Sequence, residues 1–464
     1  MNATTFAPSP IPALKRNFLV GNTFKFTRDP LGFLLSLQRQ YDRLVTMRLV
    51  GRDIHLVLTP EDAKHVLQEN NRNYIKSEAY RVLSIFLGNG LLTSEGEFWR
   101  RQRRLAQPAF YKNRLAAMTA MMNDEVLGWM EELKRRDLTK PVDFSVELMN
   151  LTLRIVTKAL FSTDVKDRLD GLSDSLNTII HYAHETLTSF IRVPLTYPTP
   201  RNRAFKKAVE RVEGVIYEII NGRRAELVRN PDVRYDDLLG MLMDARDEET
   251  GETMTDRQLR DEVTTLFMAG HETTAAALGW ALYLLARHPE IQHELRQEVH
   301  EVLGADGLPG YETLRELRYT GQVVQEAMRL YPPAWVIGRR SLEADQLGPH
   351  VLPPNSYLFI SPYVLHRDPR YWEFPHAFHP DHFRPERIRD RPTYAYLPFG
   401  GGSRLCIGNN FALMEMQIVL ALAVRAFEFQ PIREVLPDAS VTLRPKGGVP
   451  LRVRIVSSRS PTIS

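Results

Sequence analysis

Phe399-Gly400-Gly401-Gly402-Ser403-Arg404-Leu405-Cys406-Ile407-Gly408 decides how this chain is read, because it holds the only cysteine among 464 residues. A thiolate at neutral pH needs stabilisation, and a cysteine entering a helix N-terminus gains it from unpaired backbone N–H groups and the positive end of the macrodipole. The pattern after the cysteine predicts that helix over Asn409 to Phe427. Three consecutive glycines before it permit positive φ and let the backbone pass close to a flat object. Phe399 can pack beside the sulfur, and Arg404 can reach an anionic edge of that object. Taken alone, a lone cysteine is more often a buried and inert one.

The stretch matches Phe-x-x-Gly-x-Arg-x-Cys-x-Gly at every fixed position. It resembles the haem-binding loop of the cytochromes P450, a family of haem-thiolate monooxygenases. The resemblance covers nearly the whole chain, from Phe18-Leu19-Val20-Gly21-Asn22 to the hairpin expected near its end. It implies haem b with its iron held by Cys406, and a mainly α fold with small β-sheets in which haem lies between a long central helix and the cysteine-loop helix.

With 43% hydrophobic residues the chain can bury a sizeable core. No linker, repeat or long single-charge run divides residues 30 to 455, so one domain over 1–464 is expected, with an irregular segment at 1–30 and a flexible tail at 457–464. One cysteine excludes an intramolecular disulfide framework, and no basic segment followed by an apolar signal core opens the chain. A cytoplasmic monomer is expected. The most apolar stretch, Val263 to Ala286, carries His271 and Glu272 and reads as a buried helix instead of a membrane anchor. A net charge of +4 is too mild to imply nucleic acid. Arg100, Arg101, Arg103 and Arg104 cluster on one predicted helix, either to attract an acidic partner or simply as a solvated face.

Val45 to Arg48 and Ile54 to Leu58 read as a hairpin around Gly51-Arg52-Asp53. Helical spacing dominates from Glu61 to about Leu303, extended and proline-punctuated chain follows from Pro332 to Pro398, and Val441 to Val456 reads as a second hairpin turning at Gly447-Gly448.

Thr255-Asp256-Arg257-Gln258 has the form of a capping box, and His288-Pro289 supplies a stop. The helix between them, about 30 residues long, would span on the order of 45 Å. Its interior holds Ala269-Gly270-His271-Glu272-Thr273-Thr274, where a glycine and two threonines lower helix propensity. Such a break in a core element suggests a functional site. Gly270 would leave room for a flat ligand, Thr273 can hydrogen-bond a bound oxygen, and Glu272 can relay protons. Alternatively Thr273 bonds back to a carbonyl one turn earlier and Glu272 is a buried pair partner. The segment resembles the family's oxygen-activating Ala/Gly-Gly-x-Asp/Glu-Thr-Thr, which implies catalytic roles for Glu272 and Thr273.

Glu326 and Arg329 are three apart on a helix ending at Tyr331-Pro332-Pro333. In the family Glu-x-x-Arg is an internal brace completed by an arginine from a Pro-Glu-Arg segment, which here would be Arg387. Trp99 and Arg103 share one helix face. The resemblance places them on a haem propionate, with Arg404 and Arg339 as further propionate ligands and Arg340 as a competitor for Arg339.

By family location Leu266, Phe267, Ala269, Val336, Ile337 and Val449 line the substrate pocket. Their apolar character suits a fatty acid, terpenoid or similar molecule. Gly90-Leu91-Leu92-Thr93-Ser94 and Arg101-Gln102-Arg103-Arg104-Leu105 resemble a subgroup that includes fatty-acid hydroxylases. Some of its members esterify haem to a glutamate where this chain has Ala269, so noncovalent haem is expected. No fused reductase is expected either: electrons would come from a ferredoxin or flavodoxin with its NAD(P)H reductase. The implied activity is insertion of one oxygen atom of O2 into a hydrophobic substrate. The alternatives are an H2O2-driven peroxygenase and a noncatalytic haem sensor or electron carrier.

Overall fold

A computed structural model describes residues 9–15, 21–162, 172–188, 193–247 and 249–456. The Phe18-Leu19-Val20 part of the N-terminal match and the 457–464 tail lie outside the described residues. The chain groups into two compact units. One comprises Met1–Val82, Leu187–Arg192 and Met328–Cys406, the other Leu83–Thr186, Val193–Ala327 and Ile407–Ser464. Each gathers three separated stretches, which is why composition along the chain marks no boundary.

The first unit is built on a five-stranded sheet. Leu44–Leu49 and Arg52–Val57 form the expected hairpin, but it turns at Val50-Gly51, where both residues have positive φ. Two left-handed residues match the twist of a tight hairpin, so of the expected Gly51-Arg52-Asp53 only Gly51 is in the turn, and Arg52 and Asp53 already belong to the second strand. Arg52–Val57 then pairs in parallel with Tyr357–Ile360, followed by Ile337–Ser341 and Tyr74–Lys76. Beneath the sheet Leu44, Val57, Leu67, Ile337, Leu358, Ile360 and Tyr394 form one buried apolar cluster. The N-terminal segment is not wholly irregular: Ser9 and Ala13 make isolated bridges to His350 and Thr46, and Thr23–Arg28 is helical.

The second unit is mainly helical around Asp256–Arg287, hereafter the central helix. Both halves of the capping box form: Thr255 Oγ1 accepts from the Gln258 amide, and Gln258 Oε1 accepts from the Thr255 amide at 2.8 Å. Pro289 lacks an amide hydrogen and starts the next helix, Pro289–Leu303. The central helix packs along Phe144–Phe161, and Asn409–Ala426 follows the cysteine loop as the spacing predicted.

The predicted C-terminal hairpin does not form. Leu443–Pro445 pairs with Pro437–Ala439, whereas Pro450–Ile455 pairs with Phe427–Pro431 and, at its start, with Val142–Asp143. The reason lies at Asp143, whose carboxylate accepts from the Val449 amide at 2.8 Å and sits where a side chain on Gly448 would be. The two glycines, both at positive φ, divert the chain from one sheet to another.

Among the described residues no helix is long and apolar enough to cross a membrane.

Candidate active site

In the first unit the cysteine loop is closed by its own backbone: the Cys406 amide donates to the Phe399 carbonyl at 3.0 Å, and the Leu405 amide to Gly402 at 3.1 Å. Gly402–Arg404 is a single 3-10 turn. Cys406 is exposed, while Phe399 and Arg404 are half-buried. The three glycines answer mainly to the protein itself. A Cβ on Gly401 would lie 2.5 Å from the Tyr394 ring, and one on Gly402 would strike the Leu67 carbonyl. Gly400 and Gly402 also hold positive φ, so their conformation requires glycine as well as their packing.

Strand alternation separates Arg339 from its neighbour: Arg339 is 7% exposed, Arg340 half-buried on the other face. Among the described residues the Arg339 guanidinium donates only to the Gly338 carbonyl, at 3.0 Å, and meets no carboxylate. A buried cation without an acid is costly unless an anion completes the site.

Glu326 and Arg329, on the helix Arg318–Leu330, are both fully buried. Arg329 donates to the carbonyls of His366, Pro375 and Ala377 at 2.7–2.8 Å and lies 5.0 Å from the centre of the Trp372 ring. Arg387 does not join it. Its side chain, 42% exposed, pairs with Glu373 at 2.8 Å, because Pro385–Arg389 is a short surface helix with no buried residue. The arginine that reaches Trp372 from the segment just beyond is Arg391, 3.6 Å from the ring centre.

In the second unit the polar interruption of the central helix is resolved residue by residue. A Cβ on Gly270 would lie 2.8 Å from Val156 Cγ2, so this glycine is required at least in part by the helix crossing it. The His271 carbonyl accepts from Thr152 Oγ1 at 3.0 Å, and burial pushes the His271 imidazole below its usual range, keeping it neutral. Thr273 Oγ1 donates to the Ala269 carbonyl at 2.7 Å. Glu272, 5% exposed, accepts from Thr442 Oγ1 at 2.7 Å and pairs with Arg444 Nε at 3.2 Å. Both alternatives weighed from the sequence are therefore realised, yet neither removes the chemistry. With its proton on Ala269, the Thr273 oxygen still offers lone pairs. Glu272 is linked through the partly exposed Arg444 toward solvent.

Accessible surface on this otherwise buried stretch follows one helical face: Leu266, Ala269, Gly270 and Thr273 retain it, at spacings of three and four. Phe267 points the other way, 2% exposed, beside Thr157, Phe161 and Ile216. Of the other expected pocket residues Val336 is half-buried, whereas Ile337 and Val449 are packed into the interior.

Trp99 and Arg103 lie on the helix Gly96–Ala106, Trp99 buried and Arg103 half-buried with its Nε donating to Gln107 at 3.0 Å. The rest of the arginine cluster is paired within the unit: Arg100 with Glu97, Arg101 with Glu252 at 2.7 Å, and Arg104 with Asp247 and Glu249 at 2.9 and 3.0 Å. The charge of Arg101 and Arg104 is thus largely balanced by the acidic turn before the central helix.

Sequence reasoning missed Tyr394, Leu67, Thr442 and Arg444. The partners of Glu272 lie 170 and 172 positions away. Only the aromatic Tyr394, twelve residues before the cysteine, left a local signal.

The family model for cytochrome P450 matches residues 11–449. Cyclooctatin synthase of Streptomyces melanosporofaciens is 38% identical over 95% of this chain and 92% of its own length. Cyclooctat-9-en-7-ol 5-monooxygenase of the same organism is 32% identical over 92% and 90%. Cytokinin hydroxylase of Arabidopsis thaliana is 31% identical over 90% and 82%.

Proposed function

The chain belongs to the cytochrome P450 family and is a haem monooxygenase; from that premise we propose that it oxygenates a bulky, apolar carbocycle of terpenoid type. The family is haem-thiolate, with the iron held by cysteine. The residues here fit such a group: one accessible thiol at the end of a closed loop, and a buried Arg339 whose guanidinium meets no acid among the described residues. In this reading Cys406 holds iron and, within the same unit, Arg339 and Arg404 take propionate oxygens. The bound haem supplies O2 reduction and oxygen insertion, with electron donation from the thiolate favouring O–O cleavage.

The chain's own residues handle the proton. Thr273, its hydrogen committed to Ala269, accepts a hydrogen bond and orients a small proton donor beside it. Glu272 holds or passes a proton at its carboxyl group, oriented by the grip of Thr442 and Arg444 on Oε1. Glu326 and Arg329 act as a structural brace.

One observation carries the substrate class: the accessible face of the central helix is made of small or apolar side chains, Leu266, Ala269, Gly270 and Thr273. Ala269 leaves width for fused or medium rings, and among the described residues no charged side chain shares the exposed positions of that face to hold a carboxylate. The names of two relatives, one acting on cyclooctat-9-en-7-ol, favour the same class. A spin-state titration compares cyclic terpenoid alcohols with fatty acids of equal carbon number. The proposal expects a low-to-high spin change with the cyclic set at concentrations at least tenfold lower; equal or tighter response to fatty acids overturns it.

Haem is noncovalent in this proposal, because Ala269 offers no carboxylate for an ester. Electrons come, in this proposal, from a ferredoxin or flavodoxin with its reductase.

A further inference from the structure

The helix Pro60–Lys64 runs into a single π-helical turn, His65–Glu69, closed by the Asn70 amide on the His65 carbonyl at 2.8 Å. Such turns carry an inserted residue, and they persist where something holds them. Here one atom holds both ends. Asp345 Oδ2 bonds His65 Nε2 at 2.9 Å at the first residue of the turn and accepts from Asn70 Nδ2 at 3.0 Å just beyond the last. Tyr74 donates to the same oxygen from a neighbouring strand.

The middle of the turn is where the cysteine loop rests. Gly402 lies so close to the Leu67 carbonyl and the Gln68 Cα that no side chain fits. Next to it Gly401 sits on the Tyr394 ring, and Tyr394 donates to Gln68 Oε1 at 3.0 Å. A single 3-10 turn with its closing bonds separates Gly402 from Cys406, so a displacement of Gly402 has little slack to absorb it.

We propose that Asp345 is a positioning residue for the cysteine ligand: by pinning both ends of the π-turn it fixes the Leu67 carbonyl under Gly402, and through it the place where the loop delivers Cys406. Tyr394, locked by Gln68, is the second support. The proposal rests on Cys406 being the iron ligand.

The test uses full-length, haem-loaded protein. Asp345→Ala frees both ends of the turn; Tyr74→Phe removes one bond to the same oxygen but leaves both ends pinned. His65→Leu/Asn70→Ala frees the ends from the other side and serves if Asp345→Ala does not fold. For each, haem content, the unfolding midpoint and the share of the reduced CO complex showing the thiolate Soret shift are measured, with the reduction potential. Expected is a thiolate share at least halved in Asp345→Ala or in the double variant at near-normal haem content, and unchanged in Tyr74→Phe. A full thiolate share and an unmoved potential in the end-freeing variants overturn the proposal, as does an equal loss in Tyr74→Phe. Failure of the wild-type protein to show the shift would instead refute Cys406 as the iron ligand.

Discussion

Glu272 Oε1 accepts a 2.7 Å hydrogen bond from Thr442 Oγ1, tying the acid in the middle of the central helix to a short strand region near the end of the second unit. Arg444 stands 3.2 Å from the same oxygen. A carboxylate that is almost wholly buried needs such partners, since one left alone would cost several kcal/mol. Arg444, 29% exposed, carries this buried acid's contacts to the protein surface.

Replacing Arg444 should therefore disturb proton supply more than substrate binding. Arg444→Ala is expected to lower product formed per NAD(P)H consumed by about tenfold or more, with a changed solvent isotope effect, while Arg444→Lys retains most of the coupling. Coupling equal to wild type in Arg444→Ala would remove it from the proton path.

Thr273→Ala deletes a hydroxyl whose bond to Ala269 adds only about 1 kcal/mol to stability. The unfolding midpoint should barely move, whereas coupling falls and peroxide release rises several-fold. Thr273→Ser should recover most of the loss. An undiminished product yield in Thr273→Ala would favour the Ala269 bond as the side chain's whole purpose.

The two arginines once paired in expectation should part company. Arg329→Ala leaves three carbonyls and a buried glutamate helix face without their cation, a loss of about 3–5 kcal/mol that also costs haem retention. Arg387→Ala breaks an exposed pair with Glu373 and should cost under about 1 kcal/mol. Chemical denaturation of both variants measures the difference, and equal destabilisation would restore Arg387 to the brace.

These outcomes mark what the sequence could and could not disclose. The capping box, the Pro289 stop and the cysteine loop are local, so Thr255, Gln258 and Cys406 were readable from neighbours a few positions away. Arg387 matched a motif, but a motif does not report which residues of a short helix face water. The C-terminal hairpin failed for a related reason. Its glycines do permit a turn, yet Asp143, some three hundred residues earlier, decides which strand the chain joins. Likewise the glycines before Cys406 were read as clearance for a ligand, while their nearest constraints are Tyr394 and Leu67.

Glu415, on the helix Asn409–Ala426, is 1% exposed, and neither carboxylate oxygen finds a hydrogen bond among the described residues. Burial pushes its carboxyl well above the ordinary value of 4.5. The folded state thus keeps a proton that the unfolded chain gives up, so the unfolded state binds fewer protons and stability falls as pH rises. The stability is full below about pH 4.5 and declines through the window up to the raised folded value. The slope is at most about 1.4 kcal/mol per pH unit. Glu415→Gln should remove that slope, so its stability relative to wild type improves steadily from pH 5 to pH 8. A difference that stays constant across this range would mean that Glu415 is not held protonated.

The most direct test of the whole account is the spectrum of the reduced protein under CO, recorded for the wild type and for Cys406→Ser. The thiolate-shifted Soret band is expected in the wild type and lost in Cys406→Ser. A wild-type spectrum without that shift, or a Cys406→Ser spectrum that keeps it, would contradict the assignment of this lone cysteine to iron.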